Sequence, residues 1–150
     1  MIERKIAQLG EDNRRLLTAA SVQGHEFDSA VVGQALKLDA NEVEERLEQL
    51  ERVFAFVKLT SEAEFPDRTP TLKYRFVHVF YQNALYVDLR ATRKAALSRD
   101  VALALTGYYG ERTASMASEL ALLWEAAREY LPHLESAARR ALQLVDRLAD

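Results

Sequence analysis

Three histidines are the side chains in this 150-residue chain best suited to acid–base or metal chemistry near neutral pH. His25, His78 and His133 lie far apart, and none belongs to an HExxH pair. The chain contains no cysteine, which excludes disulfides, thiolate catalysis and cysteine-ligated zinc. The sequence therefore gives no support for metal ligation, and we expect no metal site.

Motifs for phosphate binding and for nucleophilic catalysis are also absent from the sequence. The five glycines form neither a P-loop nor a dinucleotide-binding fingerprint. Ser21 and His25 are four residues apart, but neither a nucleophile elbow nor an oxyanion hole accompanies them. We therefore predict no catalytic residue, no enzyme and no cofactor bound by this chain alone.

His78 is the candidate functional residue that remains. It lies in "YRFVHVFYQNALY", where a strand-like alternation changes to helix-like spacing. A histidine at a helix N-terminus, beside free backbone N–H groups and the positive end of the dipole, suits an anionic phosphate. The same dipole disfavours imidazolium, so we expect a neutral donor. The alternative is structural, a polar N-cap or a satisfied core histidine, and the sequence leaves both interpretations open.

Helical spacing of apolar residues predicts four helices before this junction. Gly10 and Gly24 are the expected stops of the first two, and Asp28 is the expected N-cap of the third. Asp39 or Asn41 is the expected N-cap of the fourth. The first helix carries Ile2, Ile6 and Leu9, and the other three are "EDNRRLLTAASV", "SAVVGQALK" and "NEVEERLEQLERV".

A hairpin is predicted next. The segments "FAFVKL" and "TLKYRF" are rich in β-forming residues, and "TSEAEFPDRTP" between them predicts a loop too long for a tight turn. Three helices followed by a two-stranded hairpin is the order of a winged helix. We therefore predict a winged-helix domain over residues 1–89.

From His78 onward the pattern is purely helical. Four helices are predicted, and they favour antiparallel, repeat-like packing over residues 90–150. Trp124 is expected in the core, and Tyr130 is a candidate interface anchor. Because the helical pattern reaches Asp150 without a stop signal, we expect a piece of a longer protein. The four helices are "VFYQNALYVDL", one with Leu97, Val101, Leu105 and Tyr108, one with Met116, Leu120, Leu123 and Ala127, and one with Leu134, Ala138, Ala141, Val145 and Leu148.

Composition places the chain among folded proteins, and the segments above predict a mainly helical class with a small β-hairpin. The content is 49% hydrophobic and 29% charged, and the net charge is −3. That charge gives no general reason to expect nucleic acid or an anionic membrane as partner. No apolar run approaches the roughly 18 residues of a membrane span, and the N-terminus lacks an apolar signal region. We expect a cytoplasmic protein that does not bind membranes.

A winged helix raises the possibility of DNA binding, and charge argues against it. Asn41 to Arg52, the segment that would enter the major groove, carries five acids and two bases, so phosphates would repel it. A basic cluster lies later in the chain and is interpreted as a solvated face. Two alternatives stay open. One is a DNA-binding transcriptional regulator, and the other is a protein-interaction or oligomerisation domain built on the helical tail. The basic cluster is Arg90, Arg93, Lys94 and Arg99.

Several stretches together resemble one known arrangement. They are "LLTAASVQGHEFDSAVVGQAL", "VEERLEQLERVFAFV", "YRFVHVFYQNALY" and "LRATRKAALSRDVALAL". This series resembles the segment that follows the ATPase core in bacterial STAND-type signalling ATPases of the AAA/NB-ARC-like class. The resemblance covers about Met1 to Leu105. In those proteins a P-loop NTPase domain precedes a winged helix and a helical-repeat array, often with a cyclase, kinase or DNA-binding effector.

The resemblance implies a role for His78. Related ATPases carry a Met-His-Asp motif at the strand-to-helix junction, and its histidine contacts the phosphate of bound ADP. The segment "FVHV" is similar to that motif, with Val79 in place of the acid. The resemblance thus implies a non-catalytic regulatory module that couples the nucleotide state of an upstream NTPase domain to downstream repeats. ATP or ADP would be the cofactor of the intact protein, and those two regions would be the partners.

Overall fold

The computed structural model describes residues 2–128, 139–140, 143–145 and 147. The chain is mainly helical with a small antiparallel sheet, as the sequence predicted. Its elements are α1 (Ile2–Ala7), α2 (Glu11–Gln23), β1 (Glu26–Asp28), α3 (Ser29–Leu36), α4 (Ala40–Arg52), β2 (Val57–Glu64), β3 (Pro70–Phe76), α5 (Val79–Val87), α6 (Ala91–Tyr109), a 3-10 helix (Gly110–Met116) and α7 (Ala117–Arg128).

The α4 helix forms where the sequence predicted it, with a side-chain cap at its N-terminus and one buried face. The side chain of Asp39 accepts hydrogen bonds from the N–H groups of Asn41 at 2.9 Å and Glu42 at 3.4 Å. This cap satisfies two donors that a helix N-terminus otherwise leaves open. One helical stripe is buried, because its positions recur every three to four residues. The buried positions of this stripe are Val43, Leu47 and Leu50.

The start of α3 differs from the prediction in its chemistry. Asp28 occupies the N-cap position, but its side chain makes no capping bond. The hydroxyl of Thr71 on β3 accepts instead from the N–H of Ala30 at 3.3 Å, which is the bond an N-cap side chain normally makes. The predicted side-chain cap is therefore wrong, because a residue from another strand fills the place.

The sheet has the strand order β1-β3-β2, with both pairs antiparallel. The sequence predicted only the β2–β3 pair, and β1 is an additional three-residue edge strand. The loop predicted over residues 60–70 is also too long, since β2 continues to Glu64 opposite Pro70. The actual turn closes with the N–H of Arg68 donating to the carbonyl of Phe65 at 2.8 Å. Pro66 suits the second position of such a turn, because its φ is already fixed.

The tip of this hairpin is fastened to the end of α6. Phe65 is buried, and its ring stacks on Tyr108 with centroids 4.4 Å apart and planes at 5°. The Tyr108 hydroxyl donates to the carbonyl of Ala30 at 3.2 Å. One tyrosine of α6 thereby joins the hairpin tip to α3.

A continuous core joins the first and second halves of the chain. Phe56, just before β2, and Phe76 at the end of β3 are fully buried, and they belong to the same cluster as Leu97 of α6. Burying each such side chain contributes about 1.5–3 kcal/mol. Trp124 of α7 also lies in this core, as predicted. The domain boundary at residue 89 stays a prediction.

The second half contains a segment that the sequence did not predict. The α5 and α6 helices lie where the spacing placed them, but a 3-10 helix then precedes α7 and contains Met116, which the sequence assigned to the next α-helix. Tyr130 and most of the predicted final helix lie outside the described residues. Within the described part, no helix combines the length and apolar character needed to cross a bilayer.

Candidate functional site

His78 lies at the N-cap of α5, where the sequence predicted a strand-to-helix junction. Its backbone is extended, with φ −133° and ψ 133°, and its Nδ1 accepts from the N–H of Phe80 at 3.4 Å. In this arrangement the neutral ring carries its proton on Nε2, which is left as an outward donor. The side chain is exposed, so the alternative of a core histidine is wrong, whereas the N-cap interpretation is confirmed.

The imidazole is held by two neighbouring aromatic rings. It stacks on Phe80 with centroids 4.6 Å apart and planes at 22°. It also meets Tyr81 edge-on at 6.2 Å. Ring contacts of this kind limit the rotamers of His78 and fix the direction in which Nε2 points.

The junction itself is anchored to two other elements. The N–H of Val77 donates to the carbonyl of Phe56 at 2.9 Å, and the rings of Phe56 and Tyr81 lie 4.9 Å apart. The ammonium group of Lys5 lies over both rings, 5.1 Å from Phe56 and 5.3 Å from Tyr81. Cation–π contacts at these distances are attractive. They connect α1 and the α4–β2 loop to the start of α5.

The surface around His78 is apolar. We call the exposed segment Val77–Phe80 the His78 corner. Val77 and Val79 are each 45% exposed and Phe80 is 54% exposed, so three large apolar side chains surround a single polar ring. Contiguous exposed apolar surface with a polar group in it is typical of a contact site.

The first turn of α5 offers fewer free N–H groups than the sequence suggested. The N–H of Phe80 points to the His78 ring, and that of Tyr81 donates to the His78 carbonyl at 3.0 Å. The Nε2–H group of His78 is therefore the donor best placed for an acceptor at this corner. Such a group can donate one hydrogen bond to an anionic or carbonyl oxygen.

The exposed face of α4 is acidic in the structure as well as in the sequence. Its two bases are engaged with its own acids, Arg46 with Glu42 at 3.0 Å and Arg52 with Glu48 at 2.9 Å. Burial and, after it, the nearby carboxylates of this helix together raise the pKa of Tyr74 to about 12. These carboxylates belong to Glu51, Glu48 and Glu44.

The other residues considered for catalysis do not form a site. The hydroxyl of the buried Ser21 donates to the carbonyl of Thr18 at 2.6 Å, while His25 is exposed, so no nucleophile–base pair exists there. His133 lies outside the described residues. Among the residues that are described, no three histidine or carboxylate side chains are grouped as metal ligands.

The basic cluster predicted as a solvated face lies along the first turns of α6. Lys94 packs its ammonium group over the ring of Tyr86 at 4.3 Å. Arg99 pairs with Asp100 at 3.0 Å, and both side chains are about one third exposed. Two of the four bases therefore have partners within the chain. Arg90 and Arg93 are exposed.

Sequence reasoning missed a cleft of about 580 Å³, which we call the β1–α7 cleft. One wall is formed by the end of α2, by β1 and by Lys73 of β3, and the other by α5, α6, the 3-10 helix and α7. Its lining comes from segments spread between Val22 and Ala126. No local motif could reveal it, because only the tertiary fold brings these segments together.

Comparison with known proteins adds no assignment. No protein-family model matches the chain, and neither a curated protein nor a solved structure shows significant similarity to it.

Proposed function

We propose that this chain is a non-catalytic regulatory module of a multidomain STAND-type ATPase. In this proposal residues 1–89, which hold α1 to α5 and the β2–β3 hairpin, form a winged-helix domain, and the helices from α6 onward begin a repeat-like array. The His78 corner contacts a phosphate of ATP or ADP that an upstream NTPase domain holds. The module passes the nucleotide state of that domain to the downstream repeats.

One observation carries the proposal, namely the exposed Nε2 of His78 at a strand-to-helix junction with apolar neighbours. A neutral donor inside an apolar contact is suited to a phosphate oxygen, because exclusion of water strengthens the hydrogen bond. Val79 brings no negative charge to the corner, so it does not repel an approaching phosphate. The apolar side chains on either side supply the surface that a neighbouring domain can bury.

The packing supports a route from this corner to the rest of the chain. The α5 helix begins at the corner and leads through Leu89 and Arg90 into α6. The far end of α6 stacks on Phe65 at the hairpin tip. A displacement of α5 would therefore be felt by both α6 and the hairpin, since packed elements shift as units.

DNA binding is less well supported by the same structure. The acidic α4 face would be the groove-facing surface of a winged helix, and phosphates would repel it. The hairpin, the usual second contact, is fastened at Phe65, whose buried ring stacks on Tyr108.

The experiment is the substitution His78→Ala in the full-length protein. We expect less ADP to be retained after gel filtration, because one donor to the phosphate is lost, and the bound nucleotide is measured by chromatography of the denatured protein. His25→Ala is the matched control, since His25 is also exposed but its carbonyl, which accepts from Phe76, is unchanged. His78→Asn keeps a capping side chain. Nucleotide occupancy equal to wild type in both His78 variants would sink the proposal.

A further inference from the structure

We propose that the β1–α7 cleft binds a small organic cation, a primary amine on an apolar body. This site is separate from the His78 corner, and it does not depend on the proposed link to an ATPase. The reasons lie in the shape of the cleft, in its charges and in the unusual situation of Asp28.

The cleft has the size and the floor of a small-molecule site. Its volume of about 580 Å³ falls inside the range of about 300–1,000 Å³ that is usual for ligand pockets. Buried apolar side chains form its floor, with Met116 and Tyr109 half-buried beside them. A floor of this kind takes up an alkyl or aromatic body through burial of apolar surface. The buried apolar lining consists of Val22, Phe27, Leu105 and Leu123.

The polar lining favours a positive ligand. Within residues 2–128, three carboxylates and one ammonium group line the cleft: Glu26, Asp28 and Glu119 against Lys73. Lys73 lies directly opposite Asp28 in the strand register, and Arg75 lies opposite Glu26 without lining the cleft. An ammonium group entering here would meet more negative than positive charge on the walls.

The two walls converge on one ring. Tyr109 lines the cleft, and its pKa is raised by burial, then by the charges of Asp28 and Glu119. Asp28 belongs to the β1 wall and Glu119 to the α7 wall, so both carboxylates act on the same hydroxyl from opposite sides. A cation between them would meet both carboxylates and would lie close to an aromatic face.

The partly buried Asp28 carboxylate interacts with the ammonium group of Lys73 and accepts from the hydroxyl of Thr71 at 3.5 Å. Asp28 stands at the N-cap of α3, yet Thr71 makes the capping bond. The side chain of Gln23 fixes the Asp28 backbone, accepting from its N–H at 3.1 Å and donating to its carbonyl at 3.4 Å. Burial raises the pKa of Asp28, which means that the ionised carboxylate destabilises the fold at neutral pH. A carboxylate that burial and a charged neighbour perturb inside a cleft is a candidate binding group.

The test measures binding of hexylamine to the 150-residue chain by amide chemical shifts and by calorimetry. Its uncharged counterpart is 1-hexanol and its anionic counterpart is hexanoate. We expect hexylamine to bind with a Kd of about 1 mM or below, near what seven non-hydrogen atoms can supply. Shifts should concentrate at β1 and at the facing part of α6 and α7. The alcohol should bind about tenfold more weakly, and the carboxylate more weakly still.

Two variants connect this binding to the carboxylates. Asp28→Asn and Glu119→Gln should each weaken hexylamine binding by about tenfold and leave 1-hexanol unaffected. Glu62→Gln on β2, at the opposite edge of the sheet, is the matched control and should change nothing. Equal affinity for amine and alcohol, unchanged binding in both cleft variants, or shifts located elsewhere would each overturn the proposal. None of these outcomes bears on nucleotide retention by His78.

Discussion

Tyr74 is a side chain whose ionisation reports its surroundings. It is buried on β3, with its ring stacked against Phe27 at 6.0 Å, and it faces carboxylates of α4. Both the loss of water and the negative charge disfavour the phenolate. The tyrosine therefore stays neutral in the folded chain at pH values where it ionises in the unfolded chain.

This difference predicts a loss of stability in alkali. Above pH 10 the unfolded chain releases the Tyr74 proton, while the folded chain keeps it until about pH 12, so the free energy of unfolding falls through this window. Tyr74→Phe should remove this component and flatten the decline. Urea unfolding at several pH values across and below the window measures it. The raised pKa values of Tyr108 and Tyr109 act in the same direction in both proteins, so some decline remains in the variant. If the free energy of unfolding falls equally steeply with pH in the variant and in wild type, the prediction is contradicted.

Single residues were predictable from sequence where their role is local. His78 was placed correctly at a helix start, because the change of period from two to 3.6 marks that position. Asp28 was placed correctly at the N-cap of α3, but the capping bond predicted for its side chain is not made. The hydroxyl that replaces it comes from Thr71, and no local pattern encodes a contact across so much intervening chain.

At the scale of elements, the two aspartates at N-cap positions form a natural pair for comparison. Asp39 caps α4 through two N–H groups, whereas Asp28 caps none. Asp39→Ala should lower the free energy of unfolding by about 1 kcal/mol, the usual cost of removing an N-cap side chain. Chemical denaturation at neutral pH measures this difference.

Asp28→Ala supplies the control for that experiment. It removes the same side chain from the same helical position without removing a bond from that side chain to a helix N–H, and it relieves a partly buried charge. It also removes a weak acceptor, 3.5 Å from the Thr71 hydroxyl. We expect it to cost less than half as much as Asp39→Ala, or to stabilise the fold. Equal losses in the two variants would show that the structure assigns the caps wrongly.

Elements were predictable where one of their faces is buried. The α4 segment is amphipathic and its helix was predicted correctly, whereas β2 is almost wholly exposed and gives no alternation to detect. As a result, residues 60–64 were assigned to a loop. β1 is three residues long, too short for any period. The 3-10 helix over Gly110–Met116 has no buried residue, so its sequence carries no apolar pattern.

For the whole molecule, the continuous core predicts one cooperative unfolding transition. Trp124, the only tryptophan in the chain, lies in α7, far along the sequence from the sheet. Its fluorescence and the far-ultraviolet circular dichroism should therefore change at the same denaturant concentration. Leu97→Ala, a fully buried position in α6, should lower stability by about 2–5 kcal/mol and shift both signals together. Separate midpoints would indicate two independent units divided near residue 89.

The class of the whole molecule followed from composition and periodicity, but its assembly did not. A mainly helical chain with a small sheet was predictable, because helix-period stripes occupy most of the sequence. The stacking of Phe65 on Tyr108 and the convergence of Asp28 and Glu119 on Tyr109 were not. These contacts join residues from separate elements. The periodicity of a single sequence does not predict which residues of different elements will come into contact.

The hydroxyl of Thr71 has a kinetic consequence for the chain. Thr71 lies 41 positions after Ala30 in the sequence, so the first turn of α3 receives its cap only after β3 has docked beside it. Loop-closure entropy must be met before such a distant contact contributes, which tends to slow folding. We therefore expect the first turn of α3 to become fully hydrogen-bonded only after the sheet has formed. A nascent chain that has not yet reached Thr71 has no partner to complete that turn.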